Sequence, residues 1–337
     1  MAAVKNLHKN VTLQYIVLGL VLSTLPLLSS AGVMRVATLT IIAGVMFYSI
    51  AALGLNLLLG FSGLVSLGVA GFMGLGAYVA AYVYADMGWG FGAAMLLAVI
   101  VPAALGIVVG LISLRSTGIY LGIMTLCVSE MLLETFRRFN AFTNGMSGKN
   151  IRFPSILGNQ LSRESVFIVV VIALIATMIF MHHLVKGHAG RAFHAMRGSE
   201  AAAQAMGVNL VKYRLIAFAI STAMAGLAGA TYVFYIRSSF PTTWDLELSL
   251  WIVAAVVIGG FRSIYGTLLG CFVIFAVTDV FIKNIPIIGD IASLPFVING
   301  VLIIVVIMLY PQGLARILFD IKQLAVGAYA KLKGSAA

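Results

Sequence analysis

Attack on a bond, metal binding and proton transfer each need particular groups close together, and this sequence brings few of them near one another. The two cysteines, Cys127 and Cys271, sit apart inside apolar runs and show no metal-ligand or disulfide spacing. No Gly-x-x-x-x-Gly-Lys-Ser/Thr phosphate loop is present, and no nucleophile, base and orienting group form a constellation, so an enzyme is the disfavoured reading and no bound metal or cofactor is expected. What remains is a set of ionisable residues inside or beside apolar stretches, where charge is expensive. Glu134 stands three residues before Arg137 and four before Arg138, the separations that place side chains together on a helix. Glu130 and Glu134 are therefore read as partners of Arg137 and Arg138 at a membrane edge, in preference to a substrate gate. Asp279 and Lys283 repeat the four-residue spacing. His182, His183, His188 and His194 all fall outside the middle of any apolar run, so a proton relay lacks its members, which counts against a stand-alone ion-coupled carrier.

Few side chains could carry chemistry because few are charged. Charged residues make up 9% of 337 positions against 62% hydrophobic ones, where a soluble domain would carry about 25% charge. With a mean hydropathy of +1.10, this excludes an ordinary soluble enzyme, a disordered chain and a secreted disulfide scaffold. The net charge of +11 is scattered over loops and ends and forms no single stripe, so it points to membrane topology and lipid contact, with no nucleic-acid partner.

At about 20 apolar residues per crossing, the chain has room for 8–10 transmembrane helices. Apolar runs predict spans near 11–28, 36–58, 63–84, 91–113, 117–136, 165–184, 214–236, 249–260, 266–283 and 295–310. The first follows Lys5 and Lys9 and is read as a retained span, although Ser29-Ser30-Ala31 has the small residues of a cleavage site. The 249–260 run is too short to cross alone, and 58–76 is broken by six glycines. Such broken segments are tolerated where protein or a water-filled cavity covers the backbone, so they point to a transport pathway. Asn56, Ser62, Gly63, Ser66 and Gly68 flank the break and are the candidate pathway residues, while Gly19 is read as an outward-facing glycine. Thr125, Ser129, Thr278 and Asn299 are read as helix-packing residues.

Lys/Arg bias places the N-terminus, the loop at 186–213 and the tail (Arg316, Lys322, Lys331 and Lys333) on the cytoplasmic side of an inner membrane. The parity of the spans then puts 137–164 outside, although that loop holds Arg137, Arg138, Lys149, Arg152 and Arg163 against Glu164. An outer loop with this excess is a candidate docking patch for a soluble binding protein with acidic lobes. Within 186–213, Gly198 separates two short helical stretches, Glu200 lies in a first turn, and Gly207 is placed to end the second stretch. A helix pair projecting from a membrane is a handle for another protein. Arg191, Arg197, Glu200, Ala201, Ala202 and Gly207 are the candidate contact residues.

These segments resemble the permease subunits of bacterial ATP-binding-cassette importers for branched-chain amino acids, specifically the M-type subunit of the leucine, isoleucine and valine system. The resemblance is carried by Glu200-Ala201-Ala202 with Gly207, by Gly54 through Gly63 followed by Ser66-Leu67-Gly68, and by Phe72 through Tyr78. It continues through Gly118-Ile119-Tyr120, Ala225 through Ala230, Gly259-Gly260, Gly266 and Pro311 through Leu314, covering roughly 35–320. Leu64 stands where members often have Gln, Arg262 where they more often have Gly, and 144–148 is a loose version of their outer segment. The resemblance implies an all-α polytopic membrane protein, with 1–337 a single permease domain. It implies a second permease subunit in a heterodimer, two cytoplasmic ATPase subunits that use the ATP, and a periplasmic substrate-binding protein. Leucine, isoleucine and valine are the implied substrates; related permeases serve urea and short amides.

Overall fold

The computed structural model describes residues 11–30, 35–116, 118–156 and 159–282, with isolated positions between 297 and 314. Most of the expected span near 295–310, the basic ends, Asn299, Lys283 and the side chains of Thr278 and Asp279 lie outside the described residues.

The fold is an all-α polytopic bundle. In chain order the helices are α1 (Val11–Ser30), α2 (Val36–Asn56), α3 (Val69–Ala85), α4 (Phe91–Ser113), α5 (Ile119–Arg138), the single turn α6 (Asn140–Thr143), α7 (Arg163–Lys186), α8 (His188–Gly198), α9 (Glu200–Ala205), α10 (Leu210–Ile236), α11 (Leu246–Gly259) and α12 (Ile264–Cys271). Among the described residues, seven helical stretches are long and apolar enough to cross a membrane, and two shorter apolar ones, Val69–Ala85 and Ile264–Val277, complete the bundle. The run expected to be too short, 249–260, is lengthened at its start. Asp245 caps α11 by accepting a hydrogen bond from the Leu248 N–H (3.0 Å), and the 3₁₀ turn Pro241–Trp244 extends the apolar rod to 19 residues.

α10 occupies the centre and touches α2, α3, α4 and α7. Lipid is as apolar as leucine, so helices in a bilayer gain by close backbone approach at small residues rather than by hydrophobic burial. A Cβ on Gly229 would stand 1.8 Å from the Met73 carbonyl oxygen, and one on Gly76 would stand 2.3 Å from the Gly226 carbonyl oxygen, which fixes α10 against α3. The Gly226 position in turn faces the Ala98 carbonyl oxygen and the Pro102 ring of α4. α11 and α12 meet in the same way through Gly259 and Gly270. Gly19, expected to face outward, is instead buried against Ile175 of α7, because α1 packs along α7.

The outer-loop expectation of 137–164 corresponds to a compact cap. Strand β1 (Lys149–Asn150) pairs antiparallel with β4 (Ser238–Ser239), with Lys149 opposite Ser239, while β2 (Ser155–Ile156) and β3 (Asn159–Gln160) form a separate hairpin. The Tyr84 hydroxyl donates to the Phe153 carbonyl (3.2 Å) and accepts from the Ser155 N–H (2.9 Å), pinning the cap to the end of α3. The α8–α9 pair lies at the opposite end of the bundle.

Glycine packing of this kind makes a graded prediction. Gly229→Ala should lower the thermal midpoint of the detergent-solubilised protein by an amount equivalent to about 1–3 kcal/mol, since backbone must move to admit the methyl group. Gly92→Ala, at an exposed position on α4 with no heavy atom within 4 Å, should leave the midpoint unchanged.

Candidate coupling and translocation site

The break in the membrane helices begins where α2 runs into a π-helical turn, Leu57–Ser62. Gly63 then adopts φ +75°, a left-handed value that costs glycine nothing, and residues 63–68 run without helical bonding until α3 starts at Val69. A helix that starts inside a bilayer exposes N–H groups with no water to bond them. Here neighbouring helices supply hydroxyl acceptors. Thr125 Oγ1 and Ser129 Oγ of α5 accept from the Leu67 and Gly71 N–H groups (2.9 and 3.1 Å), and Ser249 Oγ of α11 accepts from the Ala70 N–H (3.0 Å). Thr125 and Ser129, read from sequence as packing residues, are thus what closes the start of α3. Gly68 must be glycine for the same reason: a Cβ there would stand 2.2 Å from the Thr125 carbonyl oxygen.

The five candidate pathway residues surround this break but face different neighbours. Asn56 is fully buried and locks the π turn to α12. Its Nδ2 donates to Thr267 Oγ1 (2.7 Å) and the Ser263 carbonyl (3.3 Å), and its Oδ1 accepts from the Arg262 N–H (3.2 Å). Ser62 and Ser66 are buried within the subunit, and Ser62 Oγ has no hydrogen-bond partner among the described residues. Gly63 faces α8: its Cβ would meet Arg197 Cγ at 3.0 Å. Arg262, where the resembling sequences more often have Gly, has φ +66°, a backbone conformation that glycine adopts without strain.

At the α8–α9 end, Ser199 caps α9 through a hydrogen bond from the Ala202 N–H (3.3 Å), and Gly207 ends it with φ +82°. Glu200 forms an ion pair with Arg214 of α10, and Arg214 also donates to the Ser113 carbonyl at the end of α4 (3.3 Å). Arg214 is buried and Glu200 half-buried, so the pair ties the projecting helices to the central one. Arg191, Ala201, Ala202 and Gly207 are exposed beside it, as is Met206, which sequence reasoning missed and which is 85% exposed. Between α9 and α10 lies an open groove of about 580 Å³ lined by Leu114, Glu200, Gln204, Gly207, Asn209 and Val211. Arg197 points the other way, with its Cζ 5.8 Å from the Phe261 ring and Nη1 buried without a hydrogen-bond partner among the described residues. Partial burial, followed by the nearby guanidiniums of Arg262 and Arg197, lowers the His194 pKa below its ordinary value.

At the strand-bearing end, the five candidate docking cations are treated unequally. Lys149 is buried: its ammonium pairs with Asp86, donates to the Phe142 carbonyl (3.1 Å) and lies 4.6 Å from the Tyr82 ring centre. It therefore holds the cap together and is not a surface cation, because Asp86 arrives beside it from the far end of α3. Arg137 (3.7 Å) and Arg138 pair with Glu134, as their spacing predicts, and Arg163 lies 5.7 Å from the Tyr235 ring centre. Arg152 is exposed. Glu130, expected to join that pairing, does not.

The Glu200–Arg214 pair makes a prediction that separates positioning from direct contact. Glu200→Lys should speed backbone hydrogen exchange across 199–207, since it leaves a buried guanidinium facing a like charge. The swapped double variant Glu200→Arg, Arg214→Glu should restore part of the protection, since the ion pair re-forms while the hydrogen bond to the Ser113 carbonyl is lost.

The sequence that folds this way has known relatives. The family described as branched-chain amino acid transport system / permease component matches residues 37–310. The chain is 29% identical over 316 residues to the high-affinity branched-chain amino acid transport system permease protein LivM of Salmonella typhimurium and to that of Escherichia coli, covering 86% of this chain and 71% of each relative. It is also 29% identical over 236 residues to a probable branched-chain amino acid transport permease protein LivM of Methanocaldococcus jannaschii, covering 65% of this chain and 68% of that protein. No solved structure matches it. The matched stretch takes in the broken helix, the hydroxyl-closed start of α3 and the projecting α8–α9 pair, and the chain belongs to this family of permease components of branched-chain amino acid transport systems.

Proposed function

We propose that this chain is one of two membrane-spanning subunits of an ATP-driven importer for leucine, isoleucine and valine in a bacterial inner membrane, with both chain ends cytoplasmic. The single observation that carries this reading is the family match over residues 37–310, which spans both the helix break and the α8–α9 pair. The relatives bearing the LivM name, and the LivH permease of Methanocaldococcus jannaschii that is 28% identical over 215 residues, support pairing with a second permease. In this reading α8–α9 is gripped by a cytoplasmic ATPase through Arg191, Ala201, Ala202, Met206 and Gly207, while Glu200 fixes the pair's position. Arg197 contacts the backbone at Gly63, so a push on α8 is delivered to the start of the break. ATP acts on this chain from outside it. At the other end Arg137, Arg138, Arg152 and Arg163 form the landing surface for a binding protein, with Lys149 holding their loop in place.

Reconstitution with the partner subunits in liposomes tests the assignment. ATP-dependent uptake of leucine, isoleucine and valine is expected, with ATP hydrolysis stimulated by the loaded binding protein; uptake of urea or short amides with no uptake of leucine would transfer the assignment to those substrates. Gly68→Leu should abolish uptake, since no side chain fits against Thr125, while Gly92→Ala should be silent. Arg152→Glu should slow association of the binding protein and flatten its salt dependence, leaving ATPase assembly intact.

A further inference from the structure

α5 differs from the other spans. Its buried face, Leu121, Gly122, Thr125, Ser129, Leu133 and Phe136, packs against α3 and the loop before it. Its other face is exposed, and down that stripe run Tyr120, Ile123, Cys127, Glu130 and Met131. Membrane helices that face hydrocarbon keep that side free of charge. α4, the neighbouring span with the highest mean hydropathy, does so with Ile100, Ile107, Leu111 and Ile112 exposed.

Glu130 does not fit a lipid-facing surface. At 1.5 Å per residue it stands about 6 Å inside Glu134, whose pairing with Arg137 and Arg138 marks the membrane edge, and about 16 Å from the Ile119 end of α5, within the hydrocarbon layer. Its neighbour Ser129 bonds the first turn of α3, which places Glu130 at the depth of the helix break. Glu134, one turn nearer the strand-bearing end, already pairs with Arg137 and Arg138. Glu130 has no ion-pair or hydrogen-bond partner among the described residues, and it is exposed. A carboxylate at this depth must meet water or an opposite charge, since facing hydrocarbon would cost several kcal/mol.

We propose that the exposed stripe of α5 lines the water-filled substrate pathway, closed on its far side by the second permease subunit, and that Glu130 binds the ammonium group of the passing amino acid. The proposal rests on the importer reading above for its substrate. It supplies what an amino-acid pathway needs: a single anion for the ammonium, flanked by Ile123, Cys127 and Met131, which offer apolar contact to a branched side chain. The candidates around Asn56 and Ser62 are buried inside the subunit and do not face this stripe.

The two native cysteines provide the test. Cys127 lies on the stripe one turn from Glu130, and Cys271 is buried, so in a Cys271→Ser background this chain carries one reporter, read by isolating its band from the complex assembled in liposomes. A membrane-impermeant methanethiosulfonate should modify Cys127, and leucine should slow the modification. A cysteine placed at Ile112, on the lipid-facing side of α4, should stay unmodified. Glu130→Gln should raise the leucine concentration that half-protects Cys127 by about tenfold or more, the loss of one charge-assisted hydrogen bond, with Glu130→Asp retaining most of the protection. An unreactive Cys127 would overturn the pathway assignment and leave the stripe as a dry contact with protein or lipid. Unchanged half-protection of Cys127 in Glu130→Gln would overturn the ammonium role. Absence of leucine uptake by the wild-type complex would instead reject the importer reading, and the Cys127 reaction would still decide whether the stripe meets water.

Discussion

A helix that starts inside a membrane leaves N–H groups that lipid cannot bond, and the arrangement around α3 follows from that constraint. The groups are closed by Thr125, Ser129 and Ser249, which fixes the rotation of α5 and α11 about their own axes and their height relative to α3. Gly68 and Gly71 are then required, because the backbone of α5 lies where their side chains would be. The non-helical stretch 63–68 is also the place where the bundle can change shape with least disturbance to backbone bonding.

Around this start the helices are held by small residues rather than by a hydrophobic core in the soluble-protein sense. α10 presents glycines to α3 on one side and to α4 on the other, so three helix backbones approach within contact distance of one another. Close-packed interfaces of this type resist continuous deformation and move as units. The contact of Arg197 with Gly63, and the anchoring of α9 to α10 through Glu200 and Arg214, attach the projecting pair to two such units at once.

Several charges near the membrane are committed internally. Lys149 with Asp86, Arg214 with Glu200, and Glu134 with Arg137 and Arg138 each neutralise groups that would otherwise sit at or below the surface. Arg197 at one end, Arg152 at the other and Glu130 between them are among the charged groups that enter no ion pair among the described residues.

Sequence alone determined the membrane class, the approximate positions of most described spans, the break after Asn56 and the two short helices around Gly198, because hydropathy, glycine placement and capping act locally. The Glu134 pairing was equally legible, since three- and four-residue spacings set side-chain contacts within one helix. Contacts between distant segments were not. Lys149 looked like a free surface cation until Asp86, 63 residues earlier, was brought beside it. Gly19 looked outward-facing until α7 packed over it, and Thr125 and Ser129 looked like ordinary packing residues until the start of α3 was placed against them. Glu130 seemed to belong with its neighbours in sequence. Only the tertiary structure decided that its side of α5 is uncovered, because which face of a helix is buried depends on the neighbours that pack against it.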